Sequence, residues 1–435
     1  MSIQPNVLFL LMDGLRADRV YGDGRTAITP AIVSLRSQGT SFQQMVSTTS
    51  TTTPSVASLM TGLYPIAHGI RTLSGYKLAN RRTMAETFHK AGYYTRAEVS
   101  GPLLPSLGLG RGFDEYVYRS EQDYLDKPWG EDFMKKLAEG QFPEPWFLFL
   151  HLWELHVLWE KRWPVMRRVS RPFNHPRFGK SSYDRALSQL DVQIGKLLAS
   201  VDPQRTLIVL TSDHGEKIFH STQEENFVRR QQRLKQILPW HRNARPRPEE
   251  QCRSLKIGHG FHLYEDLIRI PCILTGRLFP LNHSIPNLVR QIDIFPTLID
   301  ALSLRPSEGL NLHGHSLVPL LHGQTWEDHH AYLEAVGQSL SSEKDWLAGI
   351  RTPQYKFIFG PNNPTIPEEL YDLIRDPHET HSLLQEQPGL AGELKAQLLL
   401  LREAEPQQFV LSGIRMNLEE ETAVRKQLES LGYLD

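Results

Sequence analysis

At 435 residues the chain is long for one hydrophobic core, so one large domain with a smaller companion is the natural division. Hydrophobic content of 40% and charged content of 22% are those of a soluble globular protein, and a formal net charge of -1 excludes a globally basic nucleic-acid binder. Only two cysteines occur, Cys252 and Cys272, which is too few for a disulfide framework or a zinc–thiolate centre.

In chain order, the first element is the apolar run Val7–Met12. It lacks a basic flank and is too short for a signal-peptide core, so it reads as a buried strand ending at Asp13. Strands are expected next at Tyr94–Val99, Trp146–Leu152, Thr206–Thr211 and Pro271–Leu274. Helices are expected at Thr29–Ser37, Thr83–Ala91, Tyr183–Leu198 and Ile292–Ser303. Strands alternating with helices predict an α/β fold, a large and mostly parallel sheet sandwiched by helices. From about Asp328 the pattern turns to short extended pieces, Tyr355–Phe359 and Glu369–Leu373, then polar helices, which predicts a small C-terminal α+β subdomain. No run approaches the roughly 20 apolar residues of a membrane helix. A cytoplasmic protein is the expectation.

In such sheets ligands bind beyond the carboxyl ends of the strands. The polar residues there are Asp13 after the first strand, Glu154 and His156 after the third, and Asp213-His214 after the fourth. Two carboxylates and an imidazole (Asp13, Asp213, His214) suit a divalent cation. Between them in the chain lies STTSTTTPSVASLMTGLYP, Ser47 to Pro65. Pro54 fits the first turn of a helix, with Thr53 as N-cap and Gly62 closing it. Taken alone the hydroxyl run is an ordinary loop. Beside a metal, Thr52 at that N-terminus becomes a candidate nucleophile, its alkoxide favoured by the cation and the helix dipole. Two basic stretches, Lys161 to Lys180 and Arg229 to Lys256, are either solvated loops or flanks of a pocket for an anionic substrate. Trp159, Trp163, Phe173 and Trp240 lie in or beside them and can stack on a ring or pack on the surface.

Several motifs together resemble the sulfatase family of the alkaline phosphatase superfamily. NVLFLLMDGLRAD is similar to the family's first strand and metal Asp, and TTPSVASLMTGLYP to its nucleophile motif. PWFLFLHLWELH resembles the strand ending in Asp-Pro-His, VLTSDHGE the second metal motif, and GHGFHLYEDLIRIP the His-Gly-x-x-Leu-Tyr-Glu segment. QIDIFPTLIDAL, GHSLVPLLHG and ELYDLIRDPHE resemble later hallmarks. The resemblance implies a catalytic domain over residues 1–335 and a subdomain over 336–435. It implies a hydrolase of ester bonds acting on an anionic small-molecule or polyanionic phosphate or sulfate ester.

The departures from the family pattern are informative. Thr52 stands where a sulfatase has the Cys or Ser oxidised to formylglycine, and a secondary alcohol cannot yield that aldehyde. Val56 replaces the motif arginine, and Gly14 the second Asp of the usual pair. The set Asp13, Thr52, Asp213 and His214 is instead similar to members that cleave phosphodiesters or phosphonate esters, where Thr52 would attack phosphorus. His259 and His156 would contact substrate oxygens or assist proton transfer. The implied cofactor is one divalent ion, Zn, Mn, Ca or Mg. A second, held by Glu154, His156 and His259, is the alternative. A sulfuric ester hydrolase without formylglycine, or a degenerate anion- or partner-binding protein, are the competing functions.

Overall fold

A computed structural model describes residues 4–22, 24–78, 81–156, 169–219, 259–304, 310–336, 346–403 and 413–430. The strands in chain order are β1 (Asn6–Met12), β2 (Gly39–Val46), β3 (Tyr76–Leu78), β4 (Tyr94–Val99), β5 (Glu115–Tyr118), β6 (Trp146–Leu152), β7 (Thr206–Ser212), β8 (Arg269–Thr275), β9 (His283–Arg290), β10 (Ala331–Ala335), β11 (Leu347–Arg351), β12 (Tyr355–Phe359), β13 (Glu369–Asp372) and β14 (Gly413–Arg415). Eight of them form the main sheet in the order β5-β4-β6-β1-β7-β8-β2-β9.

The expected α/β fold is present, with β1 near the middle. Its run NVLFLLM is buried along its whole length because both faces are covered. Val7, Phe9 and Leu11 enter one core, where Phe147 stacks on Phe88 with ring centroids 4.3 Å apart. Leu8, Leu10 and Met12 enter the other, against the helix Ser182–Leu198.

The sheet is mostly parallel, and β8 is the exception. It runs antiparallel to both β7 and β2. The reason is local. Gly215, just past β7, donates its N–H to the Leu267 carbonyl at 2.7 Å, so the chain re-enters the sheet at the edge where β7 left it. The sequence reading had no strand at β2, β5 or β9. The first carries polar residues (GTSFQQMV), β5 is a four-residue edge strand, and β9 contains Pro286, which an outermost strand tolerates.

The C-terminal sheet is the antiparallel meander β10-β11-β12-β13, covered by the helix Pro388–Glu403 through Ala391, Leu394 and Leu398. Its first strand reaches back into the large unit. Glu334 donates its N–H to the Thr48 carbonyl at 3.0 Å, and its carboxylate takes a two-pronged bond from Arg71 at 3.0 and 2.8 Å.

That contact braces the segment 47–51 at the Thr48 carbonyl, and a hydroxyl–imidazole chain braces it at the Thr48 side chain. Thr48 donates to the Ser58 hydroxyl at 2.9 Å, which lies 3.0 Å from His68 Nε2. His68 Nδ1 accepts the Ile70 N–H at 3.2 Å, so the ring is neutral with its proton on Nε2. Burial, reinforced by the positive charges of His313 and Arg71, pushes His68 down to about 3.

Replacing Phe147, fully buried in the aromatic stack, by Ala is expected to cost about 3–5 kcal/mol, read from urea unfolding. His68 predicts a pH dependence. The unfolded chain takes up the imidazole proton below about 6.5 while the folded one resists it down to about 3. Stability is therefore full above pH 6.5 and falls by about 1.4 kcal/mol per unit as pH drops through that window. A His68→Gln variant, compared with the parent by urea unfolding at neutral and mildly acidic pH, should lose that part of the slope.

Candidate active site

Three strand ends and one helix start meet at the carboxyl edge of the main sheet. β1 delivers Asp13, β6 carries His151 and leads to His156, and β7 leads into Asp213-His214-Gly215-Glu216. The helix Thr52–Thr61 begins at the nucleophile candidate itself. Thr53 is not its N-cap, as the sequence had suggested. Thr51 holds that position, and Thr53 lies inside the first turn with its hydroxyl donating to the Pro102 carbonyl at 3.0 Å. Gly62 ends the helix at φ +66°, a left-handed conformation that suits glycine.

The expected quartet comes together. Thr52 Oγ1 lies 3.2 Å from Asp13 Oδ2 and 3.1 Å from His214 Nε2. His214 Nδ1 sits 2.7 Å from the Gly215 carbonyl, which only accepts, so Nδ1 carries the proton and Nε2 presents a lone pair. Asp213 Oδ1 accepts the N–H groups of Gly14 and His214 at 3.1 and 2.9 Å, while Oδ2 stands 3.2 Å from His214 Nε2 with no hydrogen-bond donor among the described residues. Asp213 Oδ2, Thr52 Oγ1 and His214 Nε2 thus converge with Asp13 Oδ2, and among the described residues the hydrogen-bond donors these atoms face are the Thr52 hydroxyl and His151 Nε2. All four side chains are fully buried. Lone pairs facing each other in a dry site are costly unless a cation lies among them, and an imidazole whose other N–H is pinned by a carbonyl is an ordinary metal ligand. The residues fit a divalent cation.

Burial pushes Asp13 up, yet the imidazoles of His156, His151 and His214 outweigh it and hold the carboxyl well below its usual range. For Asp213, burial and the negative charge of Asp13 push the carboxyl up.

Two residues of the site were not singled out from the sequence. His151 Nε2 is 3.3 Å from Asp13 Oδ2, and its Nδ1 has no hydrogen-bond partner among the described residues. Asp13, His151 and Asp213 can offer ligand atoms that all lie within 4.8 Å of one another. The signal was available, since His151 is the one ionisable residue in the strand WFLFLHL. Glu216, two residues past His214, accepts from His259 Nδ1 at 3.0 Å. It lies beside Gly14, whose φ is +68° and where an added Cβ would stand 3.6 Å from Glu216 Oε2. His156 Nδ1 lies 2.9 Å from the other Asp13 oxygen, Oδ1, and its ring packs on Trp153 at 4.0 Å. The His259 ring lies 4.1 Å from that of His214 and 5.1 Å from that of His156. Burial opposes a proton on His259, but the Glu216 carboxylate outweighs it and raises the imidazole.

Glu154 does not join this group. Its Oε1 accepts the Leu125 N–H at 2.9 Å, and it lines a separate hollow with Tyr124, Asp126 and Gln189. The second carboxylate near His156 and His259 is Glu216 instead, because Glu154 sits in the turn after β6 and points back at the 124–126 segment. His262 stacks on Tyr264 at 5.3 Å, in keeping with a tyrosine partner. Of the basic stretches, 229–256 and 161–168 lie outside the described residues, as do Trp159, Trp163, Trp240 and Cys252. Phe173 packs on Phe178 at 4.8 Å, and Cys272 is a buried free thiol. Among the described residues no helix is long and apolar enough to cross a membrane.

Comparison with known proteins places this geometry. The family model described as Sulfatase matches residues 5–304, and that described as N-sulphoglucosamine sulphohydrolase, C-terminal, matches residues 259–404. Arylsulfatase K of Rattus norvegicus is 24% identical over 231 residues, which is 50% of this chain but only 34% of that protein. The N-acetylgalactosamine-6-O-sulfatase of Bacteroides thetaiotaomicron is 23% identical, covering 90% of this chain and 92% of the relative. Among solved structures, the phosphonate monoester hydrolase of Agrobacterium radiobacter superimposes with a TM-score of 0.68 at 17% identity, over 95% of this chain and 100% of that one, and so shares the fold. With a family model spanning the main sheet and every strand end that feeds the site, the chain belongs to the sulfatase family.

Proposed function

We propose that this protein is a metal-dependent hydrolase of phosphate esters, diesters or monoesters, in which Thr52 is the nucleophile. The observation that carries the reading is Thr52 Oγ1 standing 3.2 Å from Asp13 Oδ2 and 3.1 Å from His214 Nε2, at the start of a helix. Asp13, Thr52, Asp213 and His214 would hold a divalent cation, with His151 at hand as a further ligand. A cation bound there favours the Thr52 alkoxide and offsets charge on the oxygens of the transferred group.

The chain's own groups do the rest. The Thr52 proton passes to an acceptor beside it, and Oγ1 attacks phosphorus in line. The Oγ1–P bond forms as the bond to the leaving oxygen breaks, and that oxygen takes a proton and departs as an alcohol. Water then attacks phosphorus in the covalent intermediate, breaking the Oγ1–P bond, releasing phosphate from a monoester or a phosphomonoester from a diester, and restoring the hydroxyl. Thr52 stands at the N-terminus of the helix Thr52–Thr61, where the positive dipole end would favour the negative charge of the transferred group. His156 and His259, on the Oδ1 side of Asp13, serve the substrate oxygens and proton transfer to the leaving group.

A sulfate ester is the second reading, favoured by the sulfatases among the relatives. Formylglycine chemistry has no place in either, since Thr52 cannot form the aldehyde.

Thr52→Ala is expected to lower turnover by at least about 10³-fold with metal content and unfolding midpoint little changed. Retained activity would remove Thr52 from the mechanism. On aryl phosphodiester, phosphomonoester and sulfate ester substrates, the phosphate esters should be hydrolysed fastest. A chelator should abolish that activity, and Mn²⁺ or Zn²⁺ restore it. Faster sulfate cleavage would favour the second reading.

A further inference from the structure

We propose that this protein holds a second divalent cation, between His156, Glu216 and His259, next to the one assigned to Asp13, Thr52, Asp213 and His214. The three side chains can present ligand atoms that all lie within 4.8 Å of one another, and all three are buried. Two side-chain atoms of this group have no hydrogen-bond partner among the described residues. Glu216 Oε1 and His259 Nε2 make no hydrogen bond, although their side chains are 0% and 1% exposed. The other end of each group is engaged, for His259 Nδ1 lies 3.0 Å from Glu216 Oε2. With its Nδ1–H given to the carboxylate, His259 turns a lone pair on Nε2 into the site. That is how a metal-binding imidazole is normally oriented.

Charge points the same way. Asp13, Asp213 and Glu216 are three buried carboxylates, and among the described residues their ion-pair partners are imidazoles only, with no lysine or arginine among them. One divalent cation leaves that pocket rich in negative charge. Asp13 also reaches both positions, with Oδ2 toward Thr52 and His151 and Oδ1 toward His156 at 2.9 Å. Two imidazoles and a carboxylate form a borderline donor set that suits Zn²⁺ or Mn²⁺ better than Ca²⁺ or Mg²⁺.

The inference rests on the hydrolase reading above and extends it. With a cation held there, His156 and His259 serve the substrate oxygens as its ligands rather than by direct contact. The substrate class narrows to a tetrahedral dianion or monoanion clamped between two ions.

The test is the metal content of the full-length chain. The protein is loaded with Zn²⁺, dialysed exhaustively, and its metal-to-protein ratio measured by elemental analysis. The wild-type chain should retain two ions, and His259→Ala and Glu216→Gln one each. One ion in the wild type, or two in both variants, overturns the proposal. Circular dichroism checks that each variant is folded. Should either fail to fold, a Co²⁺ titration of the wild-type chain gives the same answer, with an absorbance break at two equivalents in support and at one equivalent against. The two proposals fail separately. An active Thr52→Ala enzyme with two ions refutes only the nucleophile, and an inactive one on a single-ion wild type refutes only the second site.

Discussion

The structure turns on the placement of one carboxylate. Asp13 is fully buried at the end of a central strand, and within 3.3 Å of its two oxygens lie the Thr52 hydroxyl and the imidazoles of His151 and His156. A buried carboxylate is stable only when its charge is answered, and here no lysine or arginine answers it among the described residues. The strand must therefore end where several other segments also end, each bringing a polar group. The parallel arrangement of β6, β1 and β7 meets that requirement by stacking three carboxyl ends at one edge.

Rigidity of the loop before Thr52 is the second constraint. A nucleophile displaced by an ångström loses most of its advantage. The segment 47–51 has no secondary structure of its own to hold it. It is held instead at Thr48, whose hydroxyl joins the Ser58–His68 chain and whose carbonyl accepts the N–H of Glu334, itself fixed by Arg71. The C-terminal meander thus contributes to the site without supplying any group that touches it. A buried neutral imidazole and a two-pronged arginine bond do the positioning.

The family's site and this one differ in a way the local backbone explains. Gly14 stands where sulfatases carry a second aspartate, and its φ of +68° suits glycine. Glu216 lies beside that glycine and anchors His259. Glu216 brings negative charge to the side of the site where His156 and His259 lie.

The sequence by itself determined the α/β architecture and the quartet Asp13, Thr52, Asp213 and His214. Those signals are local: an apolar run buried on both faces, a polar residue where it stops, and a proline one turn into a helix. Only the tertiary structure decided which carboxylate joins His156 and His259. Glu154 is two residues from His156 in sequence but turns back to the Leu125 N–H, while Glu216, 60 residues away, faces the cluster. The same holds for the reversed direction of β8, set by the Gly215–Leu267 bond, and for His151, whose place beside Asp13 follows from strand register. Side-chain direction and register come from long-range packing, and no spacing along the chain encodes them.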